Sequence, residues 1–372
     1  MNPKRILHAA LLISACGPAA AQSSVTVYGG LDAFAGRMTG PATGVNAVDK
    51  PIWKLDGGGL STSYLGLRGA EDLGGGLSAS FDFATFLRND TGASGRADAV
   101  PAPVSVAADP FWSRYSWVGL TSKDLGRVRL GNITTLLYLS NITSNAFADS
   151  TVFGPLNLVT HIGTPQAGGT GWSNSVVYDS PNMAGFVFNL ARSMSEGQGG
   201  ANSGARIAYA QGSFAASLAW QSVKKDPTTF ADGTSRNNVK TWMLGGSYDF
   251  QVAKVFAHLG RLQNNGVETA PQDVGYRITE VSVQVPFRSG NFLAGYAQRK
   301  TGDTPSPSPA TAPGGSIKRA VLTVGYDYNF SKRTDVYAIA MNDRTQTLTL
   351  PFPFSAVSAN GSSCGVGIRH RF

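Results

Sequence analysis

The chain has 372 residues, a formal charge of +8 and only 15% charged residues, against roughly 25% in an ordinary soluble domain. No uninterrupted apolar run approaches the roughly 18 residues that a membrane helix needs, so helical spans are excluded. Two cysteines, Cys16 and Cys364, cannot make a disulfide scaffold, four histidines leave little room for a multi-histidine metal centre, and no metal or cofactor is expected.

Residues 1–21 read as an export signal. Lys4 and Arg5 make a basic start, Ile6 to Ala15 is mostly apolar, and Ala19-Ala20-Ala21 offers a small-residue cleavage site before Gln22. A competing pattern, Ile13-Ser14-Ala15-Cys16-Gly17, resembles a lipoprotein signal with Cys16 as the lipidated residue. Removal of residues 1–21 takes away two cations and leaves a mature charge of +6. Residues 22–372 are expected to form one domain.

Period-two alternation dominates that domain. Leu77, Ala79, Phe81 and Phe83 alternate with Ser78, Ser80 and Asp82. Phe186, Phe188 and Leu190 alternate with Val187, Asn189 and Ala191. Trp242, Leu244, Tyr248 and Phe250 share one face, opposite Met243, Gly245, Ser247 and Asp249. Over Ala320 to Phe330 the apolar face carries Leu322, Val324, Tyr326 and Tyr328, and the other face carries Thr323 and Asp327. Tight turns are expected at 71–75, 122–126, 180–183 and 331–333. Long connections are expected at 88–110, 132–171, 224–238, 301–315 and 343–361. Short and long connections alternate between about sixteen strands.

An antiparallel barrel in lipid must close on itself, with apolar residues outward, polar ones inward and unequal connections at its two rims. A soluble β-sandwich alternates as well, but its inner faces must be dry. Here those faces would carry Asp82, Arg114, Arg127, Arg129, Asp249 and Asp327, which suit a wet lumen. The fold expected is therefore all-β: a transmembrane antiparallel barrel.

Five stretches carry a family resemblance. They are Ser24 to Asp32, Leu65 to Leu77, Asn174 to Phe186, Gly325 to Thr334, and Val366 to the terminal Phe372. In order and spacing they resemble the trimeric sixteen-stranded general porins of Gram-negative bacteria. The resemblance implies an outer-membrane, water-filled channel for small hydrophilic solutes. A long third loop folds into the pore, basic wall residues face acids on that loop, and the chain assembles as a homotrimer surrounded by lipid and lipopolysaccharide. The terminal Phe372 resembles the signal read by the outer-membrane assembly machinery.

Face assignment then names the pore residues. Leu65 and Leu67 are placed toward lipid, so Tyr64 and Arg68 point inward. Tyr115 and Trp117 are read as lipid-facing, which turns Arg114 to the lumen. Val128 and Leu130 point out, so Arg127 and Arg129 point in. Asp149 is the one carboxylate between Asn132 and Gly171. Several arginines against one loop acid predict a mild preference for anions. Three departures from the family pattern, at Tyr64, Asn132 and the single loop acid, make the constriction less charged than usual. A substrate-specific channel or a surface adhesin is the alternative. Catalysis is not expected, since no nucleophile-elbow, metalloprotease or Walker motif occurs. Nucleic acid is excluded as a partner, because the cations alternate into the lumen and form no patch with stacking aromatics.

Overall fold

The computed structural model describes residues 24–39, 51–97, 109–162, 167, 169–197, 200–224, 238–267, 270–301, 315–349 and 355–372. The export signal and Cys16 lie outside the described residues, as do parts of the long connections.

Apolar alternation produces one antiparallel sheet that closes on itself. Its first strands are β1 (Ser24–Met38), β2 (Ile52–Gly57), β3 (Tyr64–Gly74), β4 (Leu77–Arg88), β5 (Ala93–Ser94), β6 (Tyr115–Ser122) and β7 (Gly126–Thr134). The next are β8 (Gly171–Asp179), β9 (Phe186–Ser193), β10 (Asn202–Gln211), β11 (Phe214–Val223) and β12 (Val239–Asp249). The last are β13 (Lys254–Val267), β14 (Ala270–Phe287), β15 (Gly290–Thr301), β16 (Gly315–Asn329), β17 (Thr334–Thr349) and β18 (Ser355–Arg371). Without the short β2 and β5, sixteen strands run in sequence around the barrel. β1 pairs with β18 from Gly30↔Arg371 to Arg37↔Cys364, which closes it. Phe372 and Gly29 exchange both backbone hydrogen bonds at 3.1 Å, extending that closure to the last residue.

β1 meets β3 along its first half and β2 along its second. The break between them, residues 58–63, wraps the buried Asp32. Its carboxylate accepts the backbone N–H groups of Gly59, Leu60 and Ser61 at 2.8–3.1 Å, and the Tyr337 hydroxyl as well. Donors freed by the interrupted ladder are thereby satisfied.

The outward face is apolar. Leu259, Val281, Tyr296, Leu322 and Val324 are each 44–58% exposed on it. Near the short turns a girdle of aromatics forms, with Phe287, Phe292, Tyr326, Tyr328 and Phe330 in contact along three strands. Gly74, Gly75 and Gly76 all have positive φ in the β3–β4 turn, which explains that glycine run as turn chemistry.

Two expectations are corrected. The segment 343–361 is mostly strand: β17 reaches Thr349 and β18 begins at Ser355. Above the apolar band both faces are polar, so alternation disappears while the ladder continues. In β6, register pairs Tyr115 with Ala84 and Trp117 with Asp82. Tyr115 and Trp117 therefore face inward, and Val118 and Leu120, 56% and 51% exposed, face lipid.

Candidate pore constriction

Between β7 and β8 the chain forms two short helices, α1 (Leu136–Thr143) and α2 (Pro155–Thr160). Thr135 caps α1 through its hydroxyl, which accepts the Tyr138 N–H, and Pro155 starts α2 with a preset φ. These helices lie against the inward face of the sheet.

The attachments can be followed strand by strand. Ser140 and Ser217 of β11 share a hydrogen bond at 2.5 Å. Ser282 of β14 accepts the Ala146 N–H at 3.1 Å, and Thr323 of β16 donates to the Phe153 carbonyl at 2.8 Å. Phe34 of β1 meets Phe153 edge-on with centroids 5.3 Å apart. Arg319, 1% exposed, pairs with both carboxylate oxygens of Asp343 and donates Nη1 to the carbonyls of Leu158 and Ile162 at 2.7 Å each. Arg299 donates to the Val159 carbonyl at 2.7 Å. Two guanidiniums thus cap the carboxyl end of α2, where free carbonyls and the helix dipole concentrate negative potential.

A second contact joins α1 to β13. Ser144 Oγ lies 3.1 Å from His258 Nε2, and His258 Nδ1 lies 2.8 Å from Glu280 Oε2. Ser144 Oγ also donates to the Ser140 carbonyl at 2.7 Å. All three residues are buried. His161, at the end of α2, is 1% exposed and bonds Asn141 through Nε2 at 3.2 Å. Burial, with the Arg96 guanidinium adding to it, pushes this loop imidazole down to about 3.

The sequence-derived residues lie on the opposite arc. Arg114 reaches inward from a bend just before β6, which explains how it and the neighbouring Tyr115 both face the lumen. Its guanidinium stacks 4.1 Å from the Tyr64 ring centroid and donates to Thr62 Oγ1 at 2.6 Å. Thr62 donates to Asp149 at 2.5 Å, and Arg114 lies 3.5 Å from the same carboxylate. Asp149 therefore sits directly on Arg114 and does not oppose it across open space. Arg68 faces Asp82 across the β3–β4 pair and lies 5.0 Å from the Tyr28 ring centroid. Arg127 and Arg129 both bond Asp179 at 2.8–3.0 Å and both lie 5.3 Å from the Trp117 ring centroid. This stacking accounts for an inward tryptophan. Arg206 joins them through Asn189 at 3.0 Å. Phe372 lies at the barrel closure, its backbone bonded to Gly29.

Arg206, Asp179, Arg299, Arg319 and Asp343 were not singled out from the sequence. For the clamp arginines no local signal exists, since their partners are backbone carbonyls 140–161 positions away. Asp179 and Arg206 carried the same alternation as the residues that were named.

The Gram-negative porin family model matches residues 9–348. The chain belongs to the Gram-negative porins. It is 27% identical to an outer membrane porin protein of Bordetella pertussis, over 99% of this chain and 100% of that one. Identity to outer membrane porin protein 32 of Delftia acidovorans is 30%, over the same shares. Among solved structures, a porin from Comamonas acidovorans superposes with a TM-score of 0.71 at 24% identity, covering 94% of this chain and all of that one. OmpT of Vibrio cholerae gives 0.65 at 14% identity, covering 94% and 99%. The porin is thus a multi-pass channel protein of the outer membrane, and its family and fold are those of channels.

Proposed function

We propose that this porin passes small hydrophilic solutes by diffusion, that the segment carrying α1 and α2 narrows the passage, and that anions are mildly preferred. The observation that carries the selectivity is the charge balance of the inner wall. On one arc of that wall Arg68, Arg127, Arg129 and Arg206 stand against two carboxylates, Asp82 and Asp179, and Arg68 makes no ion pair among the described residues. Excess cations in a confined channel favour anions. The Comamonas structure is described as anion-selective, in line with this reading. Arg114 contributes less, because Asp149 neutralises it. Reversal potentials across a salt gradient test the proposal; a clear cation preference would overturn it.

Trimeric assembly is part of the same reading, supported by family likeness and by the trimer form recorded for Vibrio cholerae OmpT. Conductance steps arriving in threes in a planar bilayer are expected. Cleavage after Ala21 is checked by N-terminal sequencing of the mature protein. Recognition of Phe372 by the assembly machinery is tested by deleting it and measuring outer-membrane yield.

We read Ser144, His258 and Glu280 as a latch and not as a hydrolytic triad. The serine proton is committed to a carbonyl and the group is buried. Turnover of small esters by the purified protein, abolished by Ser144→Ala, would reverse that reading.

A further inference from the structure

Three consecutive backbone carbonyls between α1 and α2 are taken up by side chains of the docked segment itself. The Asn157 amide, on α2, donates to the Ala148 carbonyl at 2.8 Å and to the Ser150 carbonyl at 3.0 Å. The Asn145 amide, just past α1, donates to the same Ala148 carbonyl at 2.9 Å. The Tyr138 hydroxyl, on α1, donates to the Asp149 carbonyl between them at 3.3 Å. Asn145, Asn157 and Tyr138 are all buried. Asn145 is itself anchored, since its amide also donates to the Asn141 carbonyl in the last turn of α1 at 2.7 Å and its side-chain oxygen accepts the Phe147 N–H at 2.7 Å.

The backbone at this tip is unfavourable on its own. Ala148 has φ 44°, in the left-handed region that a residue with a Cβ rarely occupies. Such a conformation persists only where its surroundings impose it. Ala148 is exposed, so packing of its methyl group does not hold it there. Its carbonyl carries two buried amides instead. The reversal turns the carbonyls of residues 148–150 into the segment and leaves the Asp149 carboxylate to the wall, on Thr62 and Arg114. A carbonyl only accepts, so two carbonyls can be joined only by a donor side chain, and the asparagine amide offers two N–H groups on a short uncharged stem.

We propose that Asn145 and Asn157 are positioning residues for the constriction. They hold Ala148 left-handed, which seats Asp149 on Arg114 and keeps the tip of the segment on the wall at Gly59 and Thr62. Among the described residues neither asparagine bonds the barrel wall, so both act through the backbone of the tip. The consequence for solutes rests on the reading that this segment narrows the passage.

The test reads the seat directly. Phenylglyoxal modifies guanidinium groups, and a guanidinium covered by a carboxylate is shielded from it. The adduct rate at Arg114 is followed by peptide mass spectrometry on the folded protein in detergent, and D149N sets the rate of an unseated Arg114. N157A is expected to label Arg114 at least about fivefold faster than the unsubstituted protein, the equivalent of roughly one hydrogen bond. N145A keeps both Asn157 bonds, should label faster by a smaller factor, and carries the test if N157A does not fold. Exposed Arg68 should label at one rate throughout, which excludes a general loosening. In A148G/N157A the glycine takes the left-handed backbone freely, so the Arg114 rate should return at least about halfway to that of the unsubstituted protein. Arg114 labelled as slowly in the asparagine variants as in the unsubstituted protein would overturn the proposal. An equal acceleration at Arg68, or no slowing by the glycine, would overturn it too. Swelling of liposomes in sugars of increasing size is measured on the same variants, with faster entry of larger sugars expected for N157A. Faster labelling with unchanged sugar entry would leave the seat standing and overturn the narrowing, so the two readings fail separately.

Discussion

The guanidinium of Arg319 lies 2.7 Å from the carbonyl oxygen of Leu158, joining strand β16 to the end of a helix 161 positions earlier in the chain. The same side chain is paired with buried Asp343. Arg319→Leu strands that carboxylate and releases two carbonyls. We expect a loss of about 3–5 kcal/mol, since removing one partner of a buried pair leaves an uncompensated charge. The double variant R319L/D343L should recover much of it. Denaturant titration of the folded barrel measures both.

Selectivity should respond differently to two neighbouring charges. Arg68→Gln removes a cation with no ion-paired partner among the described residues, so anion preference should fall with little change in stability. Asp149→Asn frees Arg114 from its carboxylate, so anion preference should rise. Reversal potentials of the two variants should move in opposite directions. Movement in the same direction would refute the charge balance proposed for the wall.

His161 predicts a pH dependence. Its folded pKa, about 3, lies below the unfolded value of about 6.5, so the unfolded chain binds more protons between them. The contribution of neutral His161 is complete above about pH 6.5 and is lost as pH falls toward 3, at up to about 1.4 kcal/mol per unit. His161→Gln should flatten this slope in thermal melts recorded between about pH 4 and 7. An unchanged slope would assign the acid sensitivity elsewhere.

Gly245 faces the His258 ring so closely that a Cβ there would lie 2.3 Å from Cδ2 and Nε2. Gly245→Ala should push the imidazole off Ser144 and loosen α1, raising open-channel noise in single-channel recordings. Gly246→Ala, on the outward face, meets its nearest atom at 3.1 Å and serves as the control.

Strand positions and most face assignments were legible because apolar alternation is a local signal. β6 was misread because both of its faces are apolar by type: Tyr115 and Trp117 on one, Val118 and Leu120 on the other. Hydropathy cannot separate these sets; the arginines stacked on Trp117 do so only once β7 is beside it. Arg114 sits in a bend just before β6, so it and Tyr115 lie on the same side and strand parity does not carry from one to the other. α1 and α2 leave no trace because helices of eight and six residues, mostly buried, show little periodicity. Arg299 and Arg319 alternate like any wall residue, and only the docked segment reveals what they hold.

The α1–α2 segment touches the barrel on both sides of its interior. Arg299, Arg319 and His258 grip it on one arc, while Thr62 and Arg114 hold Asp149, and Ser150 donates to the Gly59 carbonyl at 2.6 Å, on the other. A hollow hoop of single-layer sheet resists flattening poorly, and this segment acts as its cross-brace. If, as proposed, this segment narrows the passage, aperture and hoop stiffness are set by the same atoms. A change that widens the passage by unseating the brace also softens the wall, so larger solutes are admitted only at the expense of mechanical rigidity.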